Sequence, residues 1–166
     1  MSLNVHDASI GVFIRAFTAL SKILDKAAAH AETKKIDPAV FLQARLFPDM
    51  FPLVRQVQIA SDTAKGCGAR LAQVDVPSYP DTEATFPELQ ARIAKTVAFL
   101  RGLDAARFAG SEDRAITLKL DRDRTFTGRD YLLSFVLPNF FFHVTTTYAI
   151  LRHNGVEIGK PDYLVL

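Results

Sequence analysis

Residues 138–156 read PNFFFHVTTTYAILRHNGV, and this stretch decides the fold. Its apolar positions recur at helical spacing, with a proline at the start and a glycine near the end. Asn139 and His143 stand four residues apart, so on a helix an amide and an imidazole share one face. Thr147 continues that face one turn later, with Thr146 beside it. Pro138 has no N–H, so the Ser134 carbonyl loses its helical partner and a kink is expected. The pair can hold a metal, orient a substrate, or be satisfied in the core with His143 bonded to Asn139 or a tyrosine.

Upstream, Thr127 and Asp130 form a capping-box pattern that opens a last helix of roughly 26 residues. His153-Asn154-Gly155 closes it as a glycine C-cap. Before it the period changes. Ile116, Leu118 and Leu120 alternate with Thr117, Lys119 and Asp121, and Phe126 follows a polar turn at Asp121-Arg122-Asp123, which predicts a short β-hairpin. The tail EIGKPDYLVL reads as irregular.

Three further long helices precede the hairpin. Phe13, Phe17, Leu20, Leu24, Ala27 and Ala31 predict the first, from about Asp7 to Lys34. Asp37-Pro38 starts a short helix reaching about Leu46. Asp49 is the expected cap of the second long helix, whose seam runs Met50, Leu53, Val57, Ala60, Ala64, Cys67, Leu71. The small residues on that seam admit a close neighbour or leave room for a pocket. The linker VDVPSYPDTEA leads to Thr85 and Glu88, a capping box, and a third helix lined by Phe86, Leu89, Ile93, Val97 and Leu100.

Composition bounds the function. With 166 residues, 49% apolar and 23% charged, the chain fits one domain, residues 1–166, with a substantial core. The net charge of +2 has its signs interleaved, and no basic stripe marks a nucleic-acid partner. No run of about 18 apolar residues can span a bilayer, and the N-terminus lacks a signal core. The single cysteine, Cys67, forms no internal disulfide, so a cytoplasmic location is expected.

The remaining chemistry is sparse. His153 is rotated by roughly 280° from His143 on the helix, and His6 and His30 share no spacing with it. No HxxxH, HExxH, Ser-His-Asp order, P-loop or dinucleotide fingerprint occurs. On the second long helix Arg55, Gln58 and Asp62 read either as an ion-paired solvated face or as groups turned toward His143. Cys67 reads as an inert core thiol without an adjacent cation. Four long helices, one long connection and a small hairpin predict a mainly all-α protein, an antiparallel four-helix bundle with a short helix after the first.

Three segments carry a family likeness: SLNVHDASIGVFIRAFTALSKILDKAAAHAE, ARLFPDMFPLVRQVQIASDTAKG and TGRDYLLSFVLPNFFFHVTTTYAILRHNGVEIGK. Together they resemble an uncharacterised bacterial family within the DinB/YfiT-like group, over nearly the whole chain. That resemblance implies a four-helix bundle, frequently dimeric. Many members bind a divalent metal through three histidines, one on the second helix and an HxxxH pair on the last, and some are thiol transferases or hydrolases. Carried onto this chain, HxxxH becomes Asn139-x-x-x-His143, and the second-helix histidine falls near Gln58, within a turn that also admits Asp62. Neutral amides are poor zinc or nickel ligands beside imidazole.

The expectation is therefore a bundle protein binding a small ligand in a pocket near His143, Asn139, Gln58, Asp62 and Thr147. The alternative is a divalent-metal-dependent transferase or hydrolase, with zinc or nickel on His143. A metal-free general base, His143 oriented by Asn139, is a third reading. A homodimer is expected from the resemblance and the 13 phenylalanines.

Overall fold

The apolar stripes fold against one another in a computed structural model that describes residues 4–119 and 121–166. Leu120, expected in the strand alternation, lies outside the described residues, as do residues 1–3 of the opening segment. A π-helical turn at Asp7–Gly11 runs directly into α1 (Val12–Lys34). Then come α2 (Pro38–Gln43), α3 (Leu53–Ala72) and α4 (Phe86–Arg101). Two 3-10 turns lead to the hairpin β1 (Ala115–Leu118) and β2 (Arg124–Thr127). The last long helix comprises α5 (Gly128–Asp130), a π-helical stretch Tyr131–Val136 and α6 (Leu137–His153). Finally α7 (Lys160–Leu164) makes a helix of part of the tail, where the sequence predicts irregular structure.

The caps explain most of these boundaries. The Asp37 side chain accepts from Ala39 N at 2.9 Å, and Glu88 reaches back to Ala84 N at 2.7 Å. Thr127 accepts from Asp130 N at 3.1 Å. Asp49 is not the cap of α3. Pro52, which has no N–H and holds the residue before it out of the helical region, starts that helix three residues later. The Pro138 kink takes a specific form. Just ahead of it the helix shifts to a five-residue hydrogen-bond step, Leu137 N–H to Leu132 O, and the proline then sits in the first turn of α6. Gly155 adopts φ +88° after α6, the left-handed C-cap conformation.

The seams meet largely as predicted, except that Met50 lies in the bend before α3 and, like Val97 of α4, is only half buried. Leu53, Val57, Ala60, Ala64, Cys67 and Leu71 on α3 are fully buried, and Phe13 and Phe17 of α1 stack edge-on against Phe140 of α6. The pairings also fix directions. Along α3 and α6, Thr63 meets Asn139 and Gln56 meets His143, so these helices are antiparallel. Along α3 and α4, Ser61 meets Arg92 and Gly68 lies under Leu100, so these run parallel, joined by the long linker. Gln90 of α4 binds Ser21 and Asp25 of α1. The antiparallel bundle thus contains a crossover of the kind that long connections permit. Strand pairing runs Ala115↔Thr127 to Leu118↔Arg124, and turns Ile116 and Leu118 into the core. α7 is clasped onto the bundle by Lys26–Asp162 at 2.6 Å and Thr145–Tyr163 at 2.8 Å.

Candidate functional site

Two polar rungs cross the apolar interface of α3 and α6. His143 is 7% exposed, and its Nδ1 lies 2.6 Å from Gln56 Oε1. The Gln56 amide is itself oriented, because its Nε2 donates to Phe51 O at 2.9 Å. Its oxygen must therefore accept, and His143 Nδ1 carries the proton. Among the described residues Nε2 has no hydrogen-bond partner, which leaves it with an open lone pair. Burial first, and then the Arg55 charge, hold the imidazole below its ordinary pKa, so it is neutral near pH 7. One turn earlier Asn139 Nδ2 donates to Thr63 Oγ1 at 3.0 Å.

The other expected ligand residues lie elsewhere. Gln58 turns toward the linker, donating to Glu83 at 2.8 Å and accepting from Arg55 at 3.2 Å. Asp62 accepts from Arg92 at 2.8 Å and from Lys65 at 3.0 Å. Thr147 is fully buried and bonds to the His143 carbonyl within its own helix. The structure thus places His143 and Asn139 on one strip facing α3, with Gln58 and Asp62 on a different face of α3. Asn139 does not orient His143; Gln56 does.

The second polar centre is Arg92 of α4, whose side chain is 1% exposed. It donates to Ser61, Asp62, Glu83 and the Pro80 carbonyl, and pairs with Asp81 at 3.0 Å. Arg55 also pairs with Asp81. Tyr79 sits among three cations, with Lys95 4.1 Å, Lys65 4.9 Å and Arg92 5.6 Å from its ring. The two-proline linker is stitched to α3 and α4 in this way. That function explains Asp62 and Gln58 without a ligand.

Gln56, Thr63 and Arg92 were absent from the sequence reading, although each leaves a signal. Gln56 falls three residues after Leu53 and four before Ala60, a polar group on the core stripe. Arg92 interrupts the stripe between Leu89 and Ile93. Cys67 is buried, and burial pushes its thiol pKa up, outweighing the nearby Arg70 charge that the sequence reading had not paired with it. His6 stacks on Phe108 and His30 on Phe41, and neither joins His143.

The three-imidazole donor set that the family resemblance implies is not assembled among the described residues. The group opposite His143 is an amide already engaged through both its atoms, and Asn139 is bonded to a hydroxyl. Among the described residues no three His, Cys, Asp or Glu side chains converge to hold a metal. This donor set does not fit that centre. No helix among the described residues is long and apolar enough to cross a membrane.

Residues 5–164 match the family described as Domain of unknown function (DUF1993). No curated protein matches the chain. Among solved structures, the chain is similar to the crystal structure of a DinB family member protein from Shewanella denitrificans. The two are 43% identical with a TM-score of 0.92, over 96% of this chain and 91% of that one. The antiparallel bundle, the hairpin before the last helix and a family match over nearly all residues agree: the chain belongs to the DUF1993 family and has a DinB-like fold.

Proposed function

We propose that this DinB-like protein binds a small molecule beside His143, at the α3–α6 interface, without a three-histidine metal centre. One observation carries the reading. Gln56 fixes the tautomer of a buried, neutral imidazole and leaves Nε2 as an open acceptor at the edge of the core. A ligand there donates a hydrogen bond to Nε2, and Asn139 offers its amide oxygen one turn away. If the bound molecule is reactive, the same nitrogen serves as a general base with Gln56 as its positioning residue.

Thermal unfolding of the purified protein against a library of small hydrogen-bond donors tests this. Binders should raise the melting temperature of the native chain and not of His143→Ala. Elemental analysis provides the opposing result. Stoichiometric zinc or nickel, lost in His143→Ala, would overturn the reading in favour of a divalent-metal-dependent transferase or hydrolase.

The proposal includes a homodimer. Phe47, Phe51 and Phe142 are each more than half exposed, and these are the side chains the dimer would cover. A reducing, cytoplasmic setting belongs to the same reading, since the lone Cys67 is a buried free thiol.

A further inference from the structure

A groove of about 500 Å³ opens between α3, the hairpin and the π-helical stretch. Arg70, Tyr131 and Lys119 present polar groups to it, and Leu118, Phe135 and Val136 form its apolar wall. The Arg70 guanidinium donates to Tyr131 Oη at 3.2 Å. Among the described residues no carboxylate lies within ion-pair distance of it. Asp62, also on the groove, is held by Arg92 and Lys65. A guanidinium has five N–H donors in a planar fork, and most of this one's are open. Burial pushes the Tyr131 pKa up to about 12, so its hydroxyl keeps a proton to donate.

Gly66 is the second, independent observation. It lies in the middle of α3, where glycine is the poorest helix former after proline. A Cβ there would meet nothing within 4 Å except Arg70, with Nη1 at 2.5 Å and Cζ at 3.6 Å. No neighbouring helix requires the missing side chain. The guanidinium folds back over the glycine, which gives it a seat. A side chain at position 66 would push the flexible guanidinium tip out of that seat and leave the helix in place.

We propose that this groove is an oxyanion site, in which Arg70 and Tyr131 bind the carboxylate or phosphate of a small organic anion whose hydrocarbon part lies on the apolar wall. Gly66 is a positioning residue for the guanidinium. Arg70 stands apart from His143, since fourteen residues of α3, roughly 21 Å, separate it from Gln56, while the far end of the groove reaches Thr63, the partner of Asn139.

The full chain, isotope-labelled, is titrated with benzoate and phenyl phosphate, and with benzamide and benzyl alcohol as uncharged counterparts. An anion should shift the amide signals of Gly66, Arg70 and Tyr131 saturably, less so as salt rises, and the uncharged compounds should not. Whichever anion binds identifies the head group. Arg70→Gln should weaken binding about tenfold or more. Gly66→Ala, a better helix former, should melt no lower than the native protein and still lose comparable affinity. His143→Ala should leave the titration unchanged. Equal binding of the uncharged compounds, full affinity in Gly66→Ala, or no saturable shift with either anion would overturn the proposal.

Discussion

His143 keeps a neutral ring because burial and Arg55 both oppose its protonation. Between its lowered folded pKa and the ordinary value of 6.5, the unfolded chain binds a proton that the folded chain does not. Stability is therefore full above that window and falls as the pH drops through it. Unfolding midpoints measured from pH 8 to pH 5 (roughly one and a half units either side of the free imidazole pKa) should decline in the native protein and flatten in His143→Gln. Gln56→Glu should reverse the sign, since a carboxylate opposite Nδ1 favours the imidazolium. An imidazole NMR titration that moves downward in that variant would contradict the assigned hydrogen bond. The residue scale was only half legible beforehand. The spacing of Asn139 and His143 showed that they share a face, but partners on another helix depend on how α3 is rotated. The sequence offers Gln58 either as part of an ion-paired face or as an amide turned toward His143. It takes the first place, and the inward amide is Gln56, roughly 200° away on the helix.

Between elements, two contacts carry unequal weight. Gly128 begins the last helix against the 3-10 turn at Ser111–Asp113, and a Cβ there would overlap the Ser111 carbonyl oxygen. Gly128→Ala is expected to cost about 3 kcal/mol, because backbone rather than a flexible side chain must move; urea unfolding would measure it. Arg92 joins α3, α4 and the linker. Arg92→Met should cost about 2–3 kcal/mol, at the lower end for a buried ion pair because Asp62 and Asp81 are more than a third exposed and can rehydrate. Arg92→Lys should recover little, since a single ammonium cannot replace a fork that reaches both Asp62 and Glu83. Unfolding free energies from denaturant titration that differ between the two variants by more than half of that cost would refute this. Element boundaries were legible where a side-chain cap or a helical stripe marked them, as at Asp37, Thr85 and Thr127. They were misread at Asp49, where two prolines nearby override the cap, and in the tail, where α7 forms because α1 and α6 hold it.

For the whole molecule, the antiparallel bundle was clear from four stripes and one long connection, and the parallel α3–α4 pair inside it was not. The two-proline linker could have closed an alternating bundle or crossed it. Arg92, Tyr79 and their partners hold it across, so α3 and α4 run parallel. Association is the prediction at this scale. Sedimentation at micromolar concentration (the range of roughly −8 kcal/mol of binding) should show a dimer, and Phe51→Asp together with Phe142→Asp should dissociate it without lowering secondary structure. A native monomer under those conditions would remove the dimer from the proposed function.

The lone thiol gives the molecule a clock. Cys67 lies in the α3 seam with no exposed surface and a pKa raised by its surroundings. An aromatic disulfide reagent therefore cannot react until the seam opens. Under excess reagent, the single colour change per chain records how often the bundle comes apart, with no label added and no second cysteine to confuse the count. Ligands that brace α3 against its neighbours would slow that clock, and their binding could be read from the delay alone.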